Sequence, residues 1–214
     1  MKSVCIFLVL VIFISSVSGQ NKSANAIDSI VFDNPYLQVS HNITIHAIPD
    51  AENFGSRIIA ALDKTIVYSS KGNKVLERGE VAVFLEKESY EIKTGSYFEI
   101  AFKKNHPALS VPEQWVEPLK NTTVYEDEQF RIFEERLLPK DVRELHSHAQ
   151  RLVVRLNKVQ LTDPRFSKEV KEGTGIQVPN TVKFAEPIVH AVKNLSDIPL
   201  FNIVIEFKVP HTSN

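Results

Sequence analysis

The stretch RELHSHAQRLVVRL, Arg143 to Leu156, carries two signals. Its second half alternates polar and apolar residues with period two, the pattern of a strand buried on one face. Its first half sets His146 and His148 two apart, and in a strand residues i and i+2 point to the same side. Two neutral imidazoles on one face can offer Nε2 lone pairs to a divalent ion, and ligand distances of ~2.0–2.1 Å suit zinc. Nickel, copper, iron and manganese also accept imidazole-rich sites. The pair reads equally as two hydrogen-bonded polar residues at a sheet margin. His190, in PIVHAVKNL, lies on a later strand segment. An antiparallel fold can return it to the pair, completing a three-imidazole set with open positions. The other histidines make poorer candidates. His41 and His46 lie five apart and face opposite sides of a regular strand. His106 and His211 sit beside prolines at segment ends, where exposure is expected.

The same alternation recurs along the chain. YLQVSHNITIHAI, SRIIAALDKTIVYSS, EVAVFLEKESYEIKT, YFEIAFKK, FRIFEERLL, QRLVVRLNKVQLT, TVKFAEPIVHAVKNL and FNIVIEFKV all read as strands between short Gly, Pro, Asn and Asp loops. Many strands with little helical periodicity predict an all-β sandwich or barrel. The segments also repeat. VFDNPYLQV resembles VYEDEQFRI, SRIIAALDK resembles QRLVVRLNK, VFLEKESYEIK lies on KFAEPIVHAVK, and FEIAFKK lies on IVIEFKV. Their order is preserved, and the offset grows from about 93 to about 105 residues, as loop insertions after a duplication would make it. Two β domains follow, 20–106 and 124–214, joined by a connector, 107–123. Pro107, Pro112 and Pro118 discourage regular pairing in the connector, and Trp115 is expected to fill a core there.

Residues 1–19 read as a secretory signal. Lys2 precedes the apolar run Val4 to Ile14, and Val17 and Gly19 suit a cut before Gln20. The run is shorter than the ~20 residues a spanning helix needs, and no later segment is a membrane span. Cys5 is the single cysteine and would leave with the signal, so the exported chain would rely on a packed core rather than on disulfides. A net charge of −1 with no basic stripe argues against a nucleic-acid partner. The sequons at Asn21, Asn42, Asn121 and Asn194 are candidate glycan acceptors. Asn121, in the polar connector, suits that role best, whereas Asn194 also has a structural reading. Nucleophilic catalysis by cysteine is excluded once the signal is removed. With seven Gly in all, a phosphate-cradling Gly loop is hardly available.

The residues from Val124 to Val209 resemble a cupin, a double-stranded β-helix or jelly-roll barrel. The family's first motif is G-x5-H-x-H-x3–4-E-x6-G, and His146 with His148 matches its H-x-H. The second is G-x5-P-x-G-x2-H-x3-N, and His190 with Asn194 matches its close. Through the repeat the resemblance extends more faintly over Val31 to Lys104. It implies an all-β fold of two tandem cupin-type barrels, a bicupin, with the metal ligands His146, His148 and His190. It also implies a turn-ordering role for Asn194. The pattern departs from the family in one respect that bears on chemistry. Leu152 and Val153 stand where the acidic ligand is expected, and the motif glycines are largely absent. Gln150, Glu144 and Glu186 are the nearest substitutes, as ligand or base. In the first half the repeat sets Glu52, Phe54 and Tyr90 opposite the three histidines, so that half is expected to be structural.

These readings predict a secreted protein that binds a divalent transition metal (Zn, Fe, Mn, Ni or Cu), a small ligand or both in its C-terminal barrel, without strong catalysis. Two alternatives belong to other classes. One is a metal-dependent dioxygenase, isomerase or lyase. The other is an extracellular structural protein that has lost the metal chemistry. A homodimer through barrel edges is the expected assembly.

Overall fold

Period-two alternation becomes strands throughout. The computed structural model describes residues 29–42, 53–116, 121–165 and 175–208, and among these there is no helix, hence none long and apolar enough to cross a membrane. Residues 1–19, read above as a signal, and Asn21, His46, Glu52 and His211 lie outside the described residues. The first half forms β1 (Ser29–Asp33), β2 (Leu37–Asn42), β3 (Phe54–Ala61), β4 (Thr65–Ser69), β5 (Gly72–Leu76), β6 (Val81–Phe84), β7 (Tyr90–Thr94) and β8 (Tyr97–Lys103). The second forms β9 (Thr122–Glu126), β10 (Phe130–Leu137), β11 (Val142–His148), β12 (Arg151–Arg155), β13 (Val159–Thr162), β14 (Ile176–Gln177), β15 (Thr181–Ala185), β16 (Ile188–Asn194) and β17 (Leu200–Phe207).

The duplication is written into the sheet order. One sheet runs β1-β2-β8-β3-β6 and its counterpart β9-β10-β17-β12-β15. The smaller sheets run β5-β4-β7 and β14-β13-β16, the latter extended by β11. Apart from β11, which pairs with β16 and has no counterpart among the described residues of the first half, the strand neighbours of the two halves correspond, as two barrels of one topology require. Several segments that read as single strands divide in two. TVKFAEPIVHAVKNL breaks at Glu186-Pro187 into β15 and β16, which belong to different sheets. Proline lacks the ladder donor, so the chain turns a barrel corner there.

The two large sheets stack face to face, and the main core lies between them. Leu152 and Val154 of β12, Ile203, Ile205 and Phe207 of β17, and Phe130 and Ile132 of β10 pack with Ile58, Ile100, Phe102, Leu37 and Val39 of the first half. The Phe102 and Phe130 rings stack at 4.9 Å. Because strand side chains alternate, the intervening residues of β12 and β17 (Arg151, Val153 and Arg155; Asn202, Val204 and Glu206) face the interior of the second barrel. Gly79 allows the close approach of the halves. Its φ is +86°, and a Cβ there would lie 2.5 Å from the Phe201 ring. Beside it, the Arg78 guanidinium donates to the carbonyls of Leu62 and Leu156 and to Asn180 Oδ1.

Inside the first barrel, Arg57 and Glu99 form a buried ion pair at 3.0 Å. Tyr90, the repeat partner of His190, donates its hydroxyl to Glu99. Burial and the Glu99 carboxylate keep that hydroxyl protonated, far above its ordinary range. A closed ion pair occupies this interior. Trp115 corrects one expectation: its side chain is 53% exposed, because the connector lies along the outside of the second barrel.

Candidate metal centre

β11 and β16 pair antiparallel, and their register sets His146 directly opposite His190. His148 follows two residues on, on the same face. The ring centroids lie 4.8 Å apart for His146 and His148, 4.6 Å for His146 and His190, and 5.4 Å for His148 and His190. One nitrogen from each ring falls within 4.8 Å of the others. His146 is 0% exposed, His148 is 2% exposed and His190 is half-buried.

The nitrogens of these rings have distinct partners. His146 Nδ1 lies 2.7 Å from the Glu144 carbonyl, which can only accept, so Nδ1 carries the proton. His148 Nδ1 lies 3.1 Å from a Glu206 carboxylate oxygen and donates to it in the same way. In the neutral ring, this tautomer leaves an Nε2 lone pair on each. The Nε2 atoms of His146 and His190 are buried and have no hydrogen-bond partner. Buried polar atoms are almost always paired, so two orphaned nitrogens on adjacent rings call for a ligand. A divalent ion accepts three imidazole lone pairs and keeps at least one open position, so the residues fit the group. Burial holds His146 below its ordinary pKa. Burial, followed by the neighbouring His146 and His148, takes His190 down to about 3. These two rings are therefore neutral at pH 7, the form that coordinates.

The three other candidates lie elsewhere. Glu144 was expected on the face of His146. The register against β16 shifts between Arg143 and His146, three residues of β11 spanning two of β16. This bulge interrupts the alternation and leaves Glu144 and Leu145 both exposed. Gln150 lies past the end of β11, its Oε1 accepting from Ser110 N–H and its Nε2 donating to Glu186. It ties the connector to the β15–β16 corner, and Glu186 is exposed there. Among the described residues no carboxylate joins the three-histidine cluster.

Asn194 is 0% exposed. Its amide donates to the carbonyls of Leu137, Leu138 and Ile198, and its Oδ1 accepts from Ser196 N–H. It fixes the end of β16, which carries His190. Asn42 is 1% exposed, so neither it nor Asn194 has room for a glycan in the folded chain. Asn121 is half-buried at the start of β9.

Sequence reasoning missed Glu206. Its carboxylate accepts from His148 Nδ1 and from Ala149 N–H, each at 3.1 Å, and Arg131 lies 3.8 Å away. Burial pushes its pKa up, but these partners outweigh burial and hold it below its ordinary value. A carboxylate on the far nitrogen fixes the tautomer and orientation of a ligating histidine and raises its basicity. A lone acid within the apolar run FNIVIEFKV was the available signal. Glu206 also borders a cleft of about 370 Å³ lined by Val111, Trp115, Arg131 and Phe207.

No family model matches the chain, and no curated protein matches it. Solved structures do. A cupin 2 conserved barrel domain protein from Leptotrichia buccalis superposes with a TM-score of 0.55 at 12% identity, over 87% of this chain and 91% of that one. A putative glyoxylate induced protein from Pseudomonas aeruginosa gives 0.56 at 9% identity, over 86% and 77%. AerE from Microcystis aeruginosa gives 0.51 at 13% identity, over 86% and 98%. The fold is that of tandem cupin barrels, as the histidine pattern implied.

Proposed function

We propose that the C-terminal barrel is a metal-binding module of an exported protein, with His146, His148 and His190 as ligands of one divalent transition ion. The observation that carries this reading is the pair of buried, partnerless Nε2 atoms on His146 and His190, within reach of His148. Three neutral nitrogens would leave a bound ion its full positive charge and at least one open position. When bound, the ion would act there as a Lewis acid or an anchor for a ligand oxygen. The protein's own residues set the donors: the Glu144 carbonyl and the Glu206 carboxylate hold the protons of His146 and His148 on Nδ1. Among the described residues no free carboxylate stands beside the cluster as a general base, which supports binding over strong catalysis. Export is part of the same reading. It rests on Lys2 before the apolar run Val4 to Ile14 and on Val17 and Gly19 before Gln20.

Calorimetric titration of the chelator-treated protein with zinc, manganese, nickel and copper tests the reading. One ion per chain is expected, with binding abolished in His190→Ala. Equal binding by wild type and variant, at equal thermal stability, would remove the site.

A further inference from the structure

The interior of the second barrel holds a cavity of about 120 Å³ that touches two of the three histidines, His148 and His190. Its other lining is unexpectedly cationic. Arg151 and Arg155 project into it from β12, and Lys183 projects into it from β15. The register explains the convergence. Val153, between the two arginines, pairs with Lys183, so the three cations occupy diagonal positions on one sheet face.

Like charges so placed repel, and elsewhere in this barrel cations have acidic partners. Arg143 lies 3.6 Å from Glu135, and Arg131 faces Glu206. Among the described residues Arg155 and Lys183 have no carboxylate within ion-pair distance, and Arg151 donates to the carbonyls of Ala149 and Glu186. The one acid in the cavity wall, Glu135, is occupied by Arg143 and by the amide of Asn202. Arg151 is only 7% exposed and lies across the β12–β17 ladder from Glu206, with Glu135 also near enough to favour its charge, so Arg155 and Lys183 are the cations left without an acidic partner. Burial lowers the pKa of each of the three cations, and at Lys183 the two arginines add to it. A set of cations this close is stabilised by an anion.

We infer that the cavity bounded by Arg151, Arg155, Lys183 and the histidine cluster is a binding site for a small carboxylate anion. The chemistry follows from the groups present. The planar guanidinium of Arg155 presents paired donors that match a carboxylate, and Lys183, exposed at the mouth, supplies a mobile point charge that draws the anion in. The volume restricts size: about 120 Å³ takes a small mono- or dicarboxylate but not a sugar or nucleotide. The metal reading supplies the second anchor, since an ion on the three imidazoles would offer its open position to the same anion. The inference rests on that reading for this second contact alone.

Arg155→Gln is the informative variant. The Arg155 side chain makes no hydrogen bond among the described residues, whereas losing Arg151 would free the Ala149 and Glu186 carbonyls and disturb the turn after His148. Malonate, its uncharged diamide malonamide, and inorganic phosphate are titrated separately into zinc-loaded wild type, Arg155→Gln and Lys183→Gln, with zinc content measured in each sample. Malonate is expected to bind wild type and to weaken by about tenfold or more in Arg155→Gln, the loss of a charge-assisted contact. Lys183→Gln should weaken it less, zinc content should stay unchanged, and malonamide should not compete. Malonamide binding as tightly as malonate, equal malonate affinity in wild type and Arg155→Gln, or tighter binding of phosphate would each overturn the carboxylate assignment. Repeating the titration on chelated protein separates the two readings. Absence of zinc from the wild type retracts the metal centre. Arg155-dependent malonate binding in that zinc-free protein would still uphold the anion site.

Discussion

Replacing Glu206 by Gln changes one oxygen for an NH2 group and, by the geometry of this barrel, disables a histidine on a strand of the other sheet. The carboxylate accepts from both His148 Nδ1 and Ala149 N–H. An amide has one accepting end. If that end keeps Ala149, the NH2 faces Nδ1, which must then accept, and the His148 proton moves to Nε2, where it blocks coordination. If the amide turns round, its NH2 confronts the Ala149 N–H. The first orientation keeps both hydrogen bonds but fixes the tautomer that cannot coordinate, and the second loses one at a group that is 4% exposed. The expected loss of metal affinity is about 10- to 100-fold, or roughly 1.4–2.7 kcal/mol. The metal-free protein should lose about 1.5–3 kcal/mol of stability at pH 7. The pH dependence has a definite sign. The folded pKa of Glu206 lies below its ordinary 4.5, so its stabilisation is present above that value and disappears as pH falls through the folded pKa. The difference between wild type and variant should therefore vanish in acid. Cobalt(II) titration against a chelator reads the affinity, and urea unfolding at pH 7 and pH 3 reads the stability. Affinity within threefold of wild type, with the His148 proton still on Nδ1 by nitrogen NMR, would refute the reasoning.

Metal-free wild type should lose stability as pH falls from 6.5 toward the folded His190 pKa of about 3, because the unfolded chain takes up a proton that the folded ring refuses. The loss is roughly 1–2 kcal/mol between pH 6.5 and 5 and should shrink in His190→Ala, as denaturant melts at the two pH values will show. Gly79→Ala combines a φ of +86° with a Cβ 2.5 Å from the Phe201 ring. It should cost about 2–4 kcal/mol, and tryptophan fluorescence and far-UV circular dichroism should still report one transition, since the halves share a core. Asn194→Ala frees three carbonyls and should cost about 2–3 kcal/mol in a urea melt, and mass spectrometry of secreted protein should find Asn194 and Asn42 without glycan.

Much of this architecture could be read directly from residue patterns, because β structure records burial in alternate positions. Leu152 and Val154 against Arg151 and Arg155 already state which face of β12 meets the other half and which faces a polar interior. The ordered repeat anticipated the common sheet order, and Asn194 beside a buried turn anticipated a structural amide. Three features were not legible for physical reasons. The β11 bulge is a one-residue irregularity that depends on pairing with β16, and it alone turns Glu144 outward. Glu206 meets His148 only when β17 lies in the barrel wall, a contact between residues far apart in sequence. The third cation joins Arg151 and Arg155 only when β12 and β15 are in register, because Lys183 is the one charge on its own strand.

The central claim is that His146, His148 and His190 jointly hold one ion. Elemental analysis of the native protein, purified without added metal, beside the His146→Ala/His148→Ala double variant tests it most directly. The account predicts about one transition-metal equivalent per chain in the native protein and none in the variant, both folded by circular dichroism. Equal metal in the two, or a metal-free native protein that takes up no ion on titration, would contradict it.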